Sequence, residues 1–207
     1  MEFLIWEEND DQEYGWLTVN GPDEINKTVS KAVFGISMLS CYPNEEMVWD
    51  LDKKKGKLVA DAVNGYVDIK VVSTRFREYL EKESGAEFEF YPLRIRDHRG
   101  RVLPEQYWIA NLMVKIPCMN AERSVFEWDS ISEDQVYSFA RLILDETKIP
   151  EGTKIFRLAE KEDLWLVEEQ FAISIVKEMG FKGAGFQYLE NYGIRGLKYT
   201  PDPEAGY

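Results

Sequence analysis

The segment Phe88-Glu89-Phe90-Tyr91-Pro92-Leu93-Arg94-Ile95-Arg96-Asp97-His98-Arg99-Gly100 alternates apolar and polar residues up to Pro92. It then resumes the alternation one position out of phase. Strand side chains repeat every second residue, so such a stretch belongs in a sheet with two distinct faces. A proline at the phase change marks a bulge or an edge position, because it has no N–H to offer a neighbouring strand. The pattern is that of a scaffold and contains no reaction centre.

Around this segment the other elements fall into place. Ser73–Ser84 reads as a helix: Ser73 or Thr74 caps it, Phe76, Tyr79 and Leu80 share one face, and Gly85 stops it. Strands are expected at Glu87–Tyr91, at Leu93–Arg96, and from Tyr107 to Val114 before Pro117, with a turn at Asp97–Gly100. Ile155–Leu158 and Leu164–Val167 read as strands flanking a charged turn, and Phe186–Leu189 as a last strand. A second helix is expected from about Glu168 to Met179, with Phe171, Ile175 and Met179 stacked and Gly180 as its stop. The stretch 132–145 fits either element. Ser132 and Gln135 resemble a capping box with apolar residues at helical spacing, yet Val136, Tyr137, Phe139 and Ile143 are also good strand formers. Residues 27–50 give a weak pattern with a turn at Tyr42-Pro43-Asn44, and Lys53–Lys57 reads as a basic hairpin tip.

These elements predict an α+β fold: a twisted, mostly antiparallel sheet with two main helices packed on it, in a single domain over 1–207. The first strands would form an accessory hairpin within an acidic N-terminal segment, 1–26. The tail 191–207, with Pro201 and Pro203, would be loose.

Charge narrows the partners. The chain has 207 residues and a formal net charge of −13, a field that repels nucleic acid and anionic lipid and attracts basic proteins. The start lacks a basic leader region, and no apolar run has the length of a membrane span, so the expected location is the cytoplasm. Cys41 and Cys118 flank no ligand set and read as free thiols.

A search for chemistry finds little. His98, the single histidine, sits in a turn sequence, and the arginines around it, Arg94, Arg96, Arg99 and Arg101, are expected to pair with nearby acids. Carboxylate pairs such as Glu7/Glu8 and Asp50/Asp52 are expected by chance in so acidic a chain. Gly180–Gly185 follows a helix, whereas a phosphate-binding loop opens one. No catalytic, metal or cofactor residues are assigned. Trp108 and Trp165 are expected in the core. An aromatic among acids suits a hot spot for a basic protein, which points to Trp6, Glu7, Glu8, Asp10, Asp11, Glu13 and Trp16, and to Glu127, Trp128 and Asp129. The alternative is a solvated face or partial burial at a sheet edge.

In order and spacing, several pieces resemble a bacterial immunity-protein family, the eleventh in the numbered series linked to polymorphic toxin systems. They are the helix Ser73–Leu80, the block Phe88–Asp97, Tyr107-Trp108-Ile109-Ala110-Asn111, Leu142-Ile143-Leu144-Asp145-Glu146, Ile155-Phe156-Arg157-Leu158, Leu166-Val167-Glu168, and Met179–Phe186. Together they span about 55–190. The resemblance implies a strand at 136–145, and a protein that neutralises a cognate toxin by binding, without catalysis. The toxin partner would be basic, for example a nuclease. A small hydrolase or nucleotide-handling enzyme, or a phage-related interaction module, are the alternatives.

Overall fold

The computed structural model describes residues 2–9, 11–132 and 134–192. The run Phe3-Leu4-Ile5-Trp6 opens β1 (Phe3–Glu8), and all four of these side chains are buried. Burial on both faces requires neighbours on both sides. β1 pairs antiparallel with β12 (Lys161–Glu168) on one side and β13 (Ala184–Tyr188) on the other. With β11 (Ile155–Leu158) and β8 (Lys115–Ile116) they form a five-stranded sheet in the order β13–β1–β12–β11–β8. The expected accessory hairpin is therefore corrected: the N-terminal strand is an interior strand of a sheet.

A second sheet has six strands: β2 (Trp16–Leu17), β4 (Ala62–Gly65), β5 (Lys70–Ser73), β7 (Tyr107–Leu112), β6 (Phe88–Arg96) and β3 (Val48–Asp50), neighbours in that order. Its edges come together. Leu17 bridges Leu51, the Thr18 amide donates to the Asp50 carbonyl at 2.9 Å, and the Asp52 amide to that of Trp16 at 2.7 Å. The sheet is thus a nearly closed barrel, which removes most of its exposed edge. Leu17, Trp49, Val63, Val71, Leu93 and Ile109 belong to one core cluster. Two short helices, α1 (Asp23–Asn26) and α2 (Ser30–Val33), add Ile25, Ala32 and Val33 to it.

A second cluster lies between barrel and five-stranded sheet, and joins Trp6, Val72, Leu112, Trp165 and Phe186. α3 (Thr74–Glu83) contributes Phe76 and Leu80, and the Ser73 hydroxyl accepts the Phe76 amide as the cap requires. The third cluster lies on the opposite face of the five-stranded sheet. There the ribbon β9 (Val125–Trp128) and β10 (Val136–Arg141) covers Phe3, Ile5 and Leu166 with Val136 and Phe139. The stretch 136–141 is therefore strand, as the resemblance implied.

Three further expectations change. β6 runs unbroken through Pro92, in constant register with β7 from Phe88↔Leu112 to Leu93↔Tyr107, so there is no bulge. The phase change arises because the strand serves two cores: Phe88 and Phe90 pack between the sheets, and Tyr91, Leu93 and Ile95 inside the barrel. Pro92 does occupy an edge. The Arg94 amide donates toward β3, to the Met47 carbonyl, so two residues earlier the missing N–H faces a place where β3 has not begun. Next, the second helix is short. α4 (Glu169–Ile173) widens into a π-turn over Ser174–Glu178, and the altered pitch leaves Met179 exposed instead of stacked. Two main helices on one sheet thus give way to a six-stranded barrel, a five-stranded sheet and a two-stranded ribbon, with four helices among the described residues. Finally, Lys53–Lys57 is no hairpin tip, because β3 and β4 are not hydrogen-bonded neighbours in the sheet order.

One buried cation ties these layers together. Arg157 on β11 is fully buried. Its Nε donates to the Leu112 carbonyl on β7 at 2.6 Å. Its Nη1 donates to the carbonyls of Val33 at 2.5 Å and Glu162 at 2.7 Å, and its Nη2 to that of Ala32 at 2.6 Å. Nη2 also reaches the Asn111 Oδ1 at 3.3 Å. Burial pushes the guanidinium pKa down to about 9, opposed by the nearby charges of Glu162 and Asp163; the group stays a cation at neutral pH. Gly35 makes room for it. Its φ is +58°, and a Cβ there would lie 2.9 Å from the Arg157 Nε. Gly35→Ala is expected to cost about 2 kcal/mol or more from left-handed strain and overpacking, read as a lower denaturant midpoint at unchanged slope.

Candidate functional site

The residues expected to form an interaction surface are dispersed by the fold. Trp6 is 4% exposed, stacked on Phe76 and tilted against Phe186 (both 5.6 Å between centroids), and edge-on to Trp165. Its ring is part of the core. Glu7 and Glu8 are half-buried at the end of β1, and Asp10 lies outside the described residues. Asp11 and Glu13 are exposed in a turn, where the Asp11 carboxylate accepts the Glu13 amide at 2.9 Å. Trp16 is half-buried, with the Lys55 ammonium 4.2 Å above its ring. Glu13 shares a shallow depression with Lys54, Lys55 and Lys57. The basic loop therefore sits against the acidic turn, and the surface there is mixed in charge.

Glu127, Trp128 and Asp129 are placed differently. Glu127 and Trp128 are exposed on β9, and Asp129 is half-buried just past its end. Trp128 is 51% exposed and edge-on to Phe126, in register with Val136. Ile131 at 91% and Tyr137 at 67% are exposed as well. The Asp129 carboxylate accepts the amides of Ile131 at 2.7 Å and Ser132 at 3.0 Å, and those bonds hold its pKa below the usual carboxylate range. The turn that presents Ile131 is thus locked by an anion.

Beside the ribbon is a cleft of about 560 Å³. Phe34 and Ile36 form one wall, Tyr137 and Val136 the other, and Asp129, Asp134, Glu162 and Asp163 add negative charge. Lys161 also lines it, 3.3 Å from the Asp163 carboxylate and 3.3 Å from the Tyr137 carbonyl. Glu162 is paired with Lys115 at 2.7 Å. The Phe34 wall is held from beneath by two buried side chains. Arg157 holds the Val33 carbonyl, and the Asn111 Nδ2 donates to the Ile36 carbonyl at 3.0 Å. Phe34 and Ile36 escape a reading of the residues alone, because 27–50 lacks periodicity. The only local signal is Gly35 between two large apolar residues.

Three of the four arginines near His98 pair as expected: Arg94 with Glu46, Arg96 with Asp50, and Arg101 with Asp97, whereas Arg99 reaches Asp97 through its backbone amide. Asp97 is the buried member of that turn. The Arg101 amide and guanidinium and the Arg99 amide lower its pKa from 3.8 to about 2. Every shifted carboxylate among the described residues, including Asp52, Asp61 and Asp145, moves downward, whereas a general acid near neutrality needs an upward shift. Cys41 and Cys118 are both free, and burial pushes the Cys118 thiol up to about 12. Among the described residues, no group of three or more His, Cys, Asp and Glu is placed to hold a metal ion. No helix among them is long and apolar enough to cross a membrane.

Comparison with known proteins bears on the whole of this architecture. Residues 21–191 match the Immunity protein family (Imm11). The chain belongs to that family. The matched span takes in the barrel strands from β3 onward, the Phe34 wall, the ribbon and Arg157, so the cleft lies wholly inside the Imm11 region. No curated protein matches the chain.

Two outcomes separate core from surface in this Imm11 member. Trp6→Ala is expected to cost about 3–5 kcal/mol in a denaturant titration, and Trp128→Ala less than about 1 kcal/mol. Acid titration tests the Asp97 turn. With its folded pKa below the unfolded value, Asp97 contributes stability that is complete above about pH 4 and is lost as pH falls through about 2. The stability difference between wild type and Asp97→Asn should therefore shrink across that window.

Proposed function

We propose that this protein binds and neutralises a cognate toxin in the cytoplasm of the producing cell, as a direct inhibitor with no catalysis of its own. The observation that carries this reading is the family match over residues 21–191. The physical features support it. An inhibitor needs a rigid scaffold, exposed aromatic anchors and a field that steers encounter. The scaffold is two sheets joined through a shared core and a buried arginine. The anchors are Trp128 and Tyr137 on the ribbon strands and Ile131 in the turn between them, all exposed. The net charge of −13 draws a basic protein surface, as a nuclease presents to its phosphate substrate. Long-range attraction of this kind raises association rates and weakens with salt.

The test is co-expression with the product of the neighbouring toxin gene. The expected result is survival of the host and a stable complex of the two proteins after purification. Killing that continues at full strength, together with no complex, would contradict the proposal.

A further inference from the structure

Among the described residues, one cleft combines exposed apolar side chains, a lining with four carboxylates and a concave shape. It is the cleft between the Phe34–Ile36 wall and the ribbon. We propose that it is the docking site for a basic, apolar-bearing segment of the toxin. This rests on the immunity reading above and adds the location and chemistry of the contact.

Three observations carry it. First, the lining is apolar and open: Phe34, Ile36 and Tyr137 are all exposed large hydrophobics. A cluster of this kind is unusual on a surface with nothing to cover it. Second, the charges framing it are anionic. Four carboxylates, Asp129, Asp134, Glu162 and Asp163, line it with a single ammonium, Lys161; Lys161 pairs with Asp163, and Glu162 pairs with Lys115 outside the lining. Lysine or arginine side chains suit such a setting, because their apolar stems pack on aromatic walls while their heads reach carboxylates. A phosphate-bearing partner would be repelled, and a second copy of this acidic chain would bring like charges together. Third, the cleft is pre-formed. Val33 and Ile36 carbonyls are fixed by Arg157 and Asn111, Glu162 by the same guanidinium, and the Ile131 turn by Asp129. Little ordering is left to oppose binding. The mixed charge at the other candidate surface, where Lys55 already covers Trp16, argues against that surface as the principal contact.

The experiment measures binding of the full chain to the toxin domain encoded by the neighbouring gene, carrying an inactivating substitution so that both can be produced. Asp134→Lys and Tyr137→Ala probe the cleft at exposed positions. Asp11→Lys with Glu13→Lys probes the N-terminal turn. Glu151→Lys, at an exposed position outside both, controls for net charge. Thermal midpoints confirm that each variant is folded. The expected result is about tenfold or greater weakening for each cleft variant, chiefly in the dissociation rate for Tyr137→Ala, and a shallower salt dependence for Asp134→Lys. Wild-type binding with cleft variants that bind equally well would overturn the location while leaving the immunity reading intact. The location is equally overturned if the N-terminal pair alone weakens binding, or if Tyr137→Ala instead dissociates a dimer of this chain. No binding by the wild type would overturn the immunity reading, and the occupant with it.

Discussion

The guanidinium of Arg157 is the contact on which the arrangement of layers depends. It sits on a strand of one sheet and donates to a strand of the other, to the end of α2, and to the start of β12. An unpaired buried cation would cost several kcal/mol. Here it is surrounded by carbonyl oxygens that themselves need donors, so both sides of the bond are satisfied at once. The indole of Trp165, 4.8 Å away, closes the remaining face. Hydrophobic burial holds the sheets together without fixing their offset. A fork of donors aimed at carbonyls from separate elements does fix it, because each bond tolerates only a narrow range of distance and angle. The φ of +58° at Gly35 follows from the same demand, since the chain must pass close over the guanidinium.

That constraint reaches the surface. Val33 precedes Phe34, and Glu162 lies in the floor of the cleft, and one nitrogen of Arg157 holds both carbonyls. The position of the Phe34 side of the cleft relative to Glu162 is therefore set by a group with no exposure to solvent. An inhibitor gains from such a design because binding then requires little rearrangement, and the affinity of its anchors is not consumed in ordering loops.

Much of this fold could be read from the residues. The Ser73 cap, the stripe of Phe76 and Leu80, and the alternation in Phe88–Arg96 are local signals, and each led to the element it implied. Elements whose character is set by distant partners were not legible. Phe3–Trp6 looked like part of an acidic flap because its neighbours in sequence are acids. Its partners in space, Glu168 to Leu166 and Tyr188 to Ala184, come from the far end of the chain. Arg157 stood inside Ile155-Phe156-Arg157-Leu158, where an arginine suggests an outward-facing position; nothing local says that five acceptors await it. Pro92 left two readings open, a bulge or an edge, and the structure shows the edge. A phase change can mean a bulge, or it can mean a straight strand passing from one core to another, and alternation alone does not separate the two. Of the proposed interaction surface, Trp128 and Asp129 are visible as an aromatic beside acids, while Phe34 and Ile36 are hidden in an aperiodic stretch held by Arg157 and Asn111.

Control of the cleft by Arg157 is open to residue-level hydrogen exchange on wild type and Arg157→Lys. A lysine keeps the charge but cannot reach carbonyls on separate elements at once. If the guanidinium sets the walls, exchange should quicken at the amides of Phe34, Ile36 and Met38 and across 161–163, with the centre of the barrel still protected. Cleft-wall amides as protected in the variant as in the wild type would show that something other than this guanidinium holds the Phe34 side in place.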